Sequence, residues 1–170
     1  MKIIAPMVLV VSALVFSPAV ADNMLVKFKG AIGVIPVSSG VGTGVTATDV
    51  NRNIVRGVQP PGQPWTISDL KADVKIDGSI KVQGRGLLLA GGNGIGSNAN
   101  QKVFATLICE PTAPFTEHST TTTGVALAPN GDFDIDDVLS PAPPTDCGSP
   151  VLLIRNTGGA WFAAGIPKRD

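Results

Sequence analysis

Histidine occurs once in the chain, at His118, and it follows one of only two glutamates, Glu117. Any serine–histidine–carboxylate relay must therefore run through that imidazole. No Gly-x-Ser-x-Gly elbow marks a serine for it. The surrounding PTAPFTEHSTTTTG reads as a Pro- and Thr-rich surface segment, where a lone histidine is expected to be solvated. A histidine-based zinc site lacks ligands for the same reason. Paired carboxylates are the other catalytic option, because glycoside hydrolysis needs only two, one protonated and one ionised. The acids crowd into DFDIDD, where Asp132, Asp134 and Asp136 alternate with Phe133 and Ile135. That alternation is the wet face of a strand, with a weak metal site as the competing reading. Attachment points two residues apart on a strand are separated by about 6.7 Å, whereas two oxygens on one calcium ion lie within about 5 Å. Three aspartates on a straight strand therefore cannot converge on one ion. The sequence assigns no catalytic residue, no cofactor and no metal beyond those three weak candidates.

Aromatic platforms of the kind that stack on sugars are scarce, with six Phe, two Trp and no Tyr. Trp65 and Trp161 sit in apolar strands and are expected in the core. Together with Glu117 and His118 they complete the possible ligand contacts. The glycine-dense LLLAGGNGIGSNANQ, residues 87–101, is a bend rather than a phosphate cradle. A cradle needs converging backbone N–H groups followed at once by a helix, and here the strand KVFATLIC follows with no Gly-Lys-Ser/Thr. A long, mobile connection is expected, and GVGTG at 40–44 has the same status.

The chain opens MKIIAPMVLVVSALVFSPAVAD, with one lysine, an apolar run broken by Pro6 and Pro18, and Ala19-Val20-Ala21 before Asp22. This has the form of a secretory signal cleaved after Ala21, leaving residues 22–170 as a single β domain without a transmembrane segment. The 170 residues less these 21 leave 149, enough for one core. They carry 12 Lys+Arg against 13 Asp+Glu, a balance that gives no steering toward nucleic acid. A periplasmic or secreted address makes Cys109 and Cys147, the only cysteines, a structural disulfide worth roughly 4 kcal/mol in the chain-entropy model. Partners are left unidentified, with an envelope or extracellular partner expected from the address.

Period-two patterning punctuated by 20 Gly and 14 Pro makes the chain strands and turns throughout. In DLKADVKIDGSIKVQG a three-residue loop with Gly78 left-handed pairs Val74 with Ile80 and Ala72 with Val82, and sets Asp73 opposite Lys81. In GVALAPNGDFDID the same turn at Gly131 sets Leu127 across from Phe133 and Val125 across from Ile135. A third hairpin turns at Asn156–Gly159 and sets Ile154 across from Trp161. Roughly eight strands follow, in an antiparallel β-sandwich or flattened barrel.

QPWTISDLKADVKIDGSIKVQGRGLLLA, VFATLIC, LSPAPPTDCGSPVLLIR and GGAWFAAGIPK together resemble a group of uncharacterised small secreted bacterial β-proteins. The likeness covers most of the chain after residue 21 and implies a pattern, not an activity. The expectation is an exported, non-enzymatic binding or envelope-associated module. A hydrolase using Asp132, Asp134 or Asp136 with Glu117 or His118 is the first alternative, and a weak calcium-dependent adhesion module the second.

Overall fold

A computed structural model describes residues 23–41 and 49–168. The expected leader, residues 1–21, lies outside them, as does most of GVGTG. The described residues hold thirteen strands and no helix. They are β1 (Met24–Gly33), β2 (Val37–Val41), β3 (Asp49–Arg52), β4 (Trp65–Thr66), β5 (Asp69–Lys75), β6 (Ser79–Arg85), β7 (Leu88–Leu89), β8 (Lys102–Ile108), β9 (His118–Ser119), β10 (Val125–Ala126), β11 (Phe133–Val138), β12 (Val151–Asn156) and β13 (Trp161–Pro167).

The main antiparallel sheet runs β10-β8-β12-β13-β1-β5-β6-β11, with β9 beside β10 on β8. Its inner face follows from alternation. Phe28, Ala72, Val82 and Ile135 stand in one cross-strand row on β1, β5, β6 and β11, each at most 4% exposed. In the next row Leu70 and Phe133 flank Gly84, and a Cβ on that glycine would lie 2.1 Å from the Phe133 ring. The glycine makes room for the aromatic ring that fills that level of the core.

The two ends of the sheet, β10 and β11, approach each other and nearly close it into a barrel. A tight turn joins them: Ala128 N–H donates to Asp132 O at 2.9 Å and Gly131 N–H to Ala128 O at 2.8 Å, with Gly131 at φ +81°. The turn is the expected one, but the hairpin is not. Beyond it β10 pairs with β8, setting Val125 opposite Val103, while β11 pairs with β6, setting Ile135 opposite Val82. The turn therefore straddles the barrel seam, because its two arms pair with different neighbours. At the far end of the seam Ser119 and Ser140 exchange backbone hydrogen bonds of 2.8 and 3.0 Å. Between them the Asp137 carboxylate accepts the Thr121 N–H at 2.8 Å.

The β5–β6 hairpin has the expected register, with Gly78 at φ +86°. The β12–β13 hairpin turns where expected but contains a bulge, so that Trp161 stands opposite Arg155 and Ile154 opposite Ala163. The bulge lets Phe162 stack on Trp65, with centroids 4.0 Å apart, while the Trp161 indole donates to Asn53 O at 2.9 Å. Segment 53–66 thus lies against β13, a long-range packing choice invisible in the hairpin's own sequence. The loop after β7 is tethered rather than loose. Gly96 N–H donates to Leu89 O, Leu89 N–H to Ser97 O, and the Asn98 amide to the carbonyls of Leu127 and Ala128.

Cys109 and Cys147 form a disulfide across 38 positions, joining the end of β8 to the approach to β12. Arg56 reinforces it from a two-residue turn between Val55 and Val58, at φ +47°, uncommon for a long side chain. Its guanidinium donates to Ser149 O and Ser149 Oγ, each at 2.7 Å, and to Ile108 O at 3.3 Å.

Candidate functional site

The polar counterpart of the inner row is a wall on the outside of β5, β6 and β11. Strand alternation turns Lys71 and Asp73, Lys81, Gln83 and Arg85, and Asp134 and Asp136 outward. Register stacks them in rows: Lys71, Gln83 and Asp134 in one, Asp73, Lys81 and Asp136 in the next. These side chains line an open groove of about 490 Å³.

Its ion pairs run toward β11. Lys81 Nζ lies 3.0 Å from Asp136 Oδ2, and Arg85 lies 3.4 Å from Asp134 Oδ1 and 3.9 Å from Asp132 Oδ2. Asp73 stands opposite Lys81 in the register, yet makes no ion pair with it. A lysine on the middle strand has a carboxylate on either side, and its single ammonium closes on one of them. Lys71, Asp73 and Gln83 make no side-chain hydrogen bond or ion pair with any described residue, so their polar ends are free to meet a ligand.

Asp132, Asp134 and Asp136 do not gather. Asp132 accepts Gly86 N–H and the Asn130 amide, each at 3.0 Å, and the other two face Arg85 and Lys81. Among the described residues, no three histidine, cysteine or acidic side chains come together as a metal set.

The four sequence-predicted contact residues are scattered and engaged. Trp65 and Trp161 are buried, one stacked on Phe162 and the other bonded to Asn53. Glu117 pairs with Arg155 Nη1 at 2.5 Å. Arg155 also donates to Gly159 O and lies over the Phe104 ring. His118 departs furthest from expectation. It is 4% exposed in β9, opposite Leu107, because the short β9 edge pairs with β8 and carries the ring inward. Pro141 O can only accept, so Nδ1 donates to it at 2.9 Å, and Nε2 is buried with no hydrogen-bond partner among the described residues. Neither Glu117 nor His118 hydrogen-bonds to another carboxylate, which is what the hydrolase alternative requires.

Three acids are held below the ordinary carboxylate range by backbone N–H donors. These are Asp77 by Ser79, Glu110 by Thr116 and Asp137 by Thr121. Desolvation pulls the Arg56 guanidinium below its usual value, and Glu110 opposes the shift. The surface has two other depressions of note. One, of about 160 Å³, is the seam itself, lined by Val103, Thr121, Val125, Ile135 and Asp137. The other, of about 610 Å³, is bordered by Arg56, Ser149, Val151, Ile166 and Lys168, but Arg56 is committed to the carbonyls beside the disulfide.

Sequence reasoning missed Arg56 and Asp137. The Val-Arg-Gly-Val run carries a tight-turn signal that could have placed Arg56 at a turn apex. Nothing local marks Asp137 as different from its neighbours. No protein family, curated protein or solved structure matches the chain.

Proposed function

We propose that the protein is an exported, non-enzymatic binding module whose ligand face is the outer wall of β5, β6 and β11. The observation that carries this reading is the groove there, where Lys71, Asp73 and Gln83 present donors and acceptors without partners among the described residues. The placement of Glu117 on Arg155 and of His118 on Pro141 O supports binding over hydrolysis, because both residues are committed to holding segment 109–120 in place. The disulfide supports export, since such bonds persist in oxidising compartments.

The test is co-sedimentation of the purified protein with insoluble envelope polymer, with the soluble phase assayed for released fragments. Saturable binding without release is expected, weakened at least about tenfold in Lys71→Ala/Asp73→Ala/Gln83→Ala. These exposed positions leave the core untouched. Unchanged binding by the triple variant would move the ligand face elsewhere. Released fragments would restore the hydrolase reading.

A further inference from the structure

The outer wall continues from β5 onto β1, and its charges alternate from strand to strand. Register sets Lys27, Asp73, Lys81 and Asp136 side by side, a base and an acid in turn across β1, β5, β6 and β11. Two positions along, Asp69 stands opposite Arg85, whose guanidinium faces Asp132 on its other side. In both rows each charge has opposite charges for cross-strand neighbours, the arrangement that stabilises a sheet. The row between them breaks the rule. Lys29 stands directly opposite Lys71, and Lys71 is followed on β6 by the uncharged Gln83. Both lysines are exposed, and neither ammonium pairs with any described residue. Side chains opposite one another in an antiparallel pair are rooted about 5 Å apart, so two like charges there repel. One anion between them turns that repulsion into attraction from both sides.

We propose, resting on the outer wall as the ligand face, that this middle row is an anion subsite and that its occupant is a carboxylate of an acidic polysaccharide. Lys29 and Lys71 hold the carboxylate, and the Gln83 amide on the next strand donates to an oxygen beside it. The flanking residues select the kind of polymer. Asp69 and Asp73 stand two positions either side of Lys71, about 6.7 Å along the strand, and neither carboxylate has a partner among the described residues. They accept from hydroxyl groups and repel a second anion at that distance. A sugar chain with isolated carboxylates among its hydroxyls satisfies both conditions. A dense polyanion such as polyphosphate brings its next charge against Asp69 or Asp73.

Equilibrium binding of the purified full chain to hyaluronan, whose carboxylates alternate with uncharged sugars, tests this beside neutral dextran and polyphosphate. Saturable binding to hyaluronan is expected, at least about tenfold tighter than to either control and weaker in added salt. Lys71→Asp should weaken it at least about tenfold. The same change sets an acid opposite Lys29 and completes the alternation, so the variant should melt no lower than wild type and its loss of binding is not a loss of fold. Lys29→Gln, which removes one ammonium and adds no charge, should weaken binding about threefold or more, and it decides the matter if Lys71→Asp fails to fold. Equal binding to dextran, a preference for polyphosphate, or hyaluronan binding indifferent to the folded variants would each overturn the proposal. Envelope polymer that is bound by wild type and lost by Lys71→Ala/Asp73→Ala/Gln83→Ala, with no binding of hyaluronan, would overturn the carboxylate subsite and leave the wall as the ligand face. Hyaluronan binding that needs Lys29 and Lys71, with the triple variant still sedimenting on envelope polymer, would uphold the subsite and refute the wider reading of the wall.

Discussion

Removal of the Asp137 carboxylate tests whether the barrel is held shut across its seam by a charge. Oδ2 accepts the Thr121 N–H and Oδ1 the Val138 N–H, each at 2.8 Å, and Thr121 lies across the seam from β11. A hydrogen bond to a charged group contributes about 1.5–3 kcal/mol when protected. This carboxylate is only partly buried, so screening reduces the figure to about 1 kcal/mol. Asp137→Ala should therefore lower stability by about 1 kcal/mol at pH 7, and Asp137→Asn, which keeps one acceptor oxygen, by about half of that. The Thr121 bond holds the folded pKa below its unfolded value, against a smaller desolvation effect. The contribution is therefore complete above the unfolded value, near 3.9, and is lost as pH falls through the lower folded value. Asp77 and Glu110 lose their own backbone-bonded stabilisation in the same window, but equally in both proteins, so the difference between wild type and variant isolates Asp137. Urea unfolding at pH 7, 5, 4 and 3 measures it, with a midpoint shift of roughly 0.5 M at pH 7 that narrows below pH 4. Equal midpoints at pH 7, or a gap that persists undiminished well below pH 3, would refute the charge-assisted latch.

Other perturbations separate the remaining contributions. Cys109→Ala/Cys147→Ala frees a 38-position span and should cost about 4 kcal/mol on the loop-closure argument, read by urea unfolding beside wild type. Gly131→Ala should destabilise by about 2 kcal/mol or more, because a Cβ at φ +81° would stand 2.5 Å from the Leu87 backbone nitrogen. Gly57→Ala, at φ +83° with open space around it, should cost only about 1 kcal/mol, and equal losses for the two would deny the close approach at Gly131. Calcium at about 1 mM should raise the melting temperature by about 2 °C or less. A shift clearly above 3 °C that Asp134→Asn abolishes would show that the strand binds the ion after all.

The legible parts of the molecule were those whose physics is local. Alternation of Leu70, Ala72 and Val74 with charged neighbours, and Gly78 at the only position where φ must be positive, specified the β5–β6 hairpin to the residue. The same alternation placed Asp134 and Asp136 on an outer face, and so half of the candidate site. The other half depended on which strand lies beside β6. Lys81 has Asp73 before it in its own hairpin and Asp136 across a contact 55 residues away, and only the assembled sheet decides between them.

His118 and the turn at Gly131 show the limit most clearly. A Pro- and Thr-rich context describes a solvated loop, yet two residues of it pair with β8 and carry the imidazole into the interior. The turn chemistry at Gly131 dictated a reversal of the chain, and the reversal is present. Turn chemistry does not dictate that the two arms pair with each other. Where alternation is strong, sequence by itself determined strand, face and turn, because a period of two and the sign of φ are properties of a few consecutive residues. Tertiary structure decided which strands became neighbours, where the barrel stayed unsealed and which buried groups went unpaired, because each depends on burial summed over segments far apart in the chain.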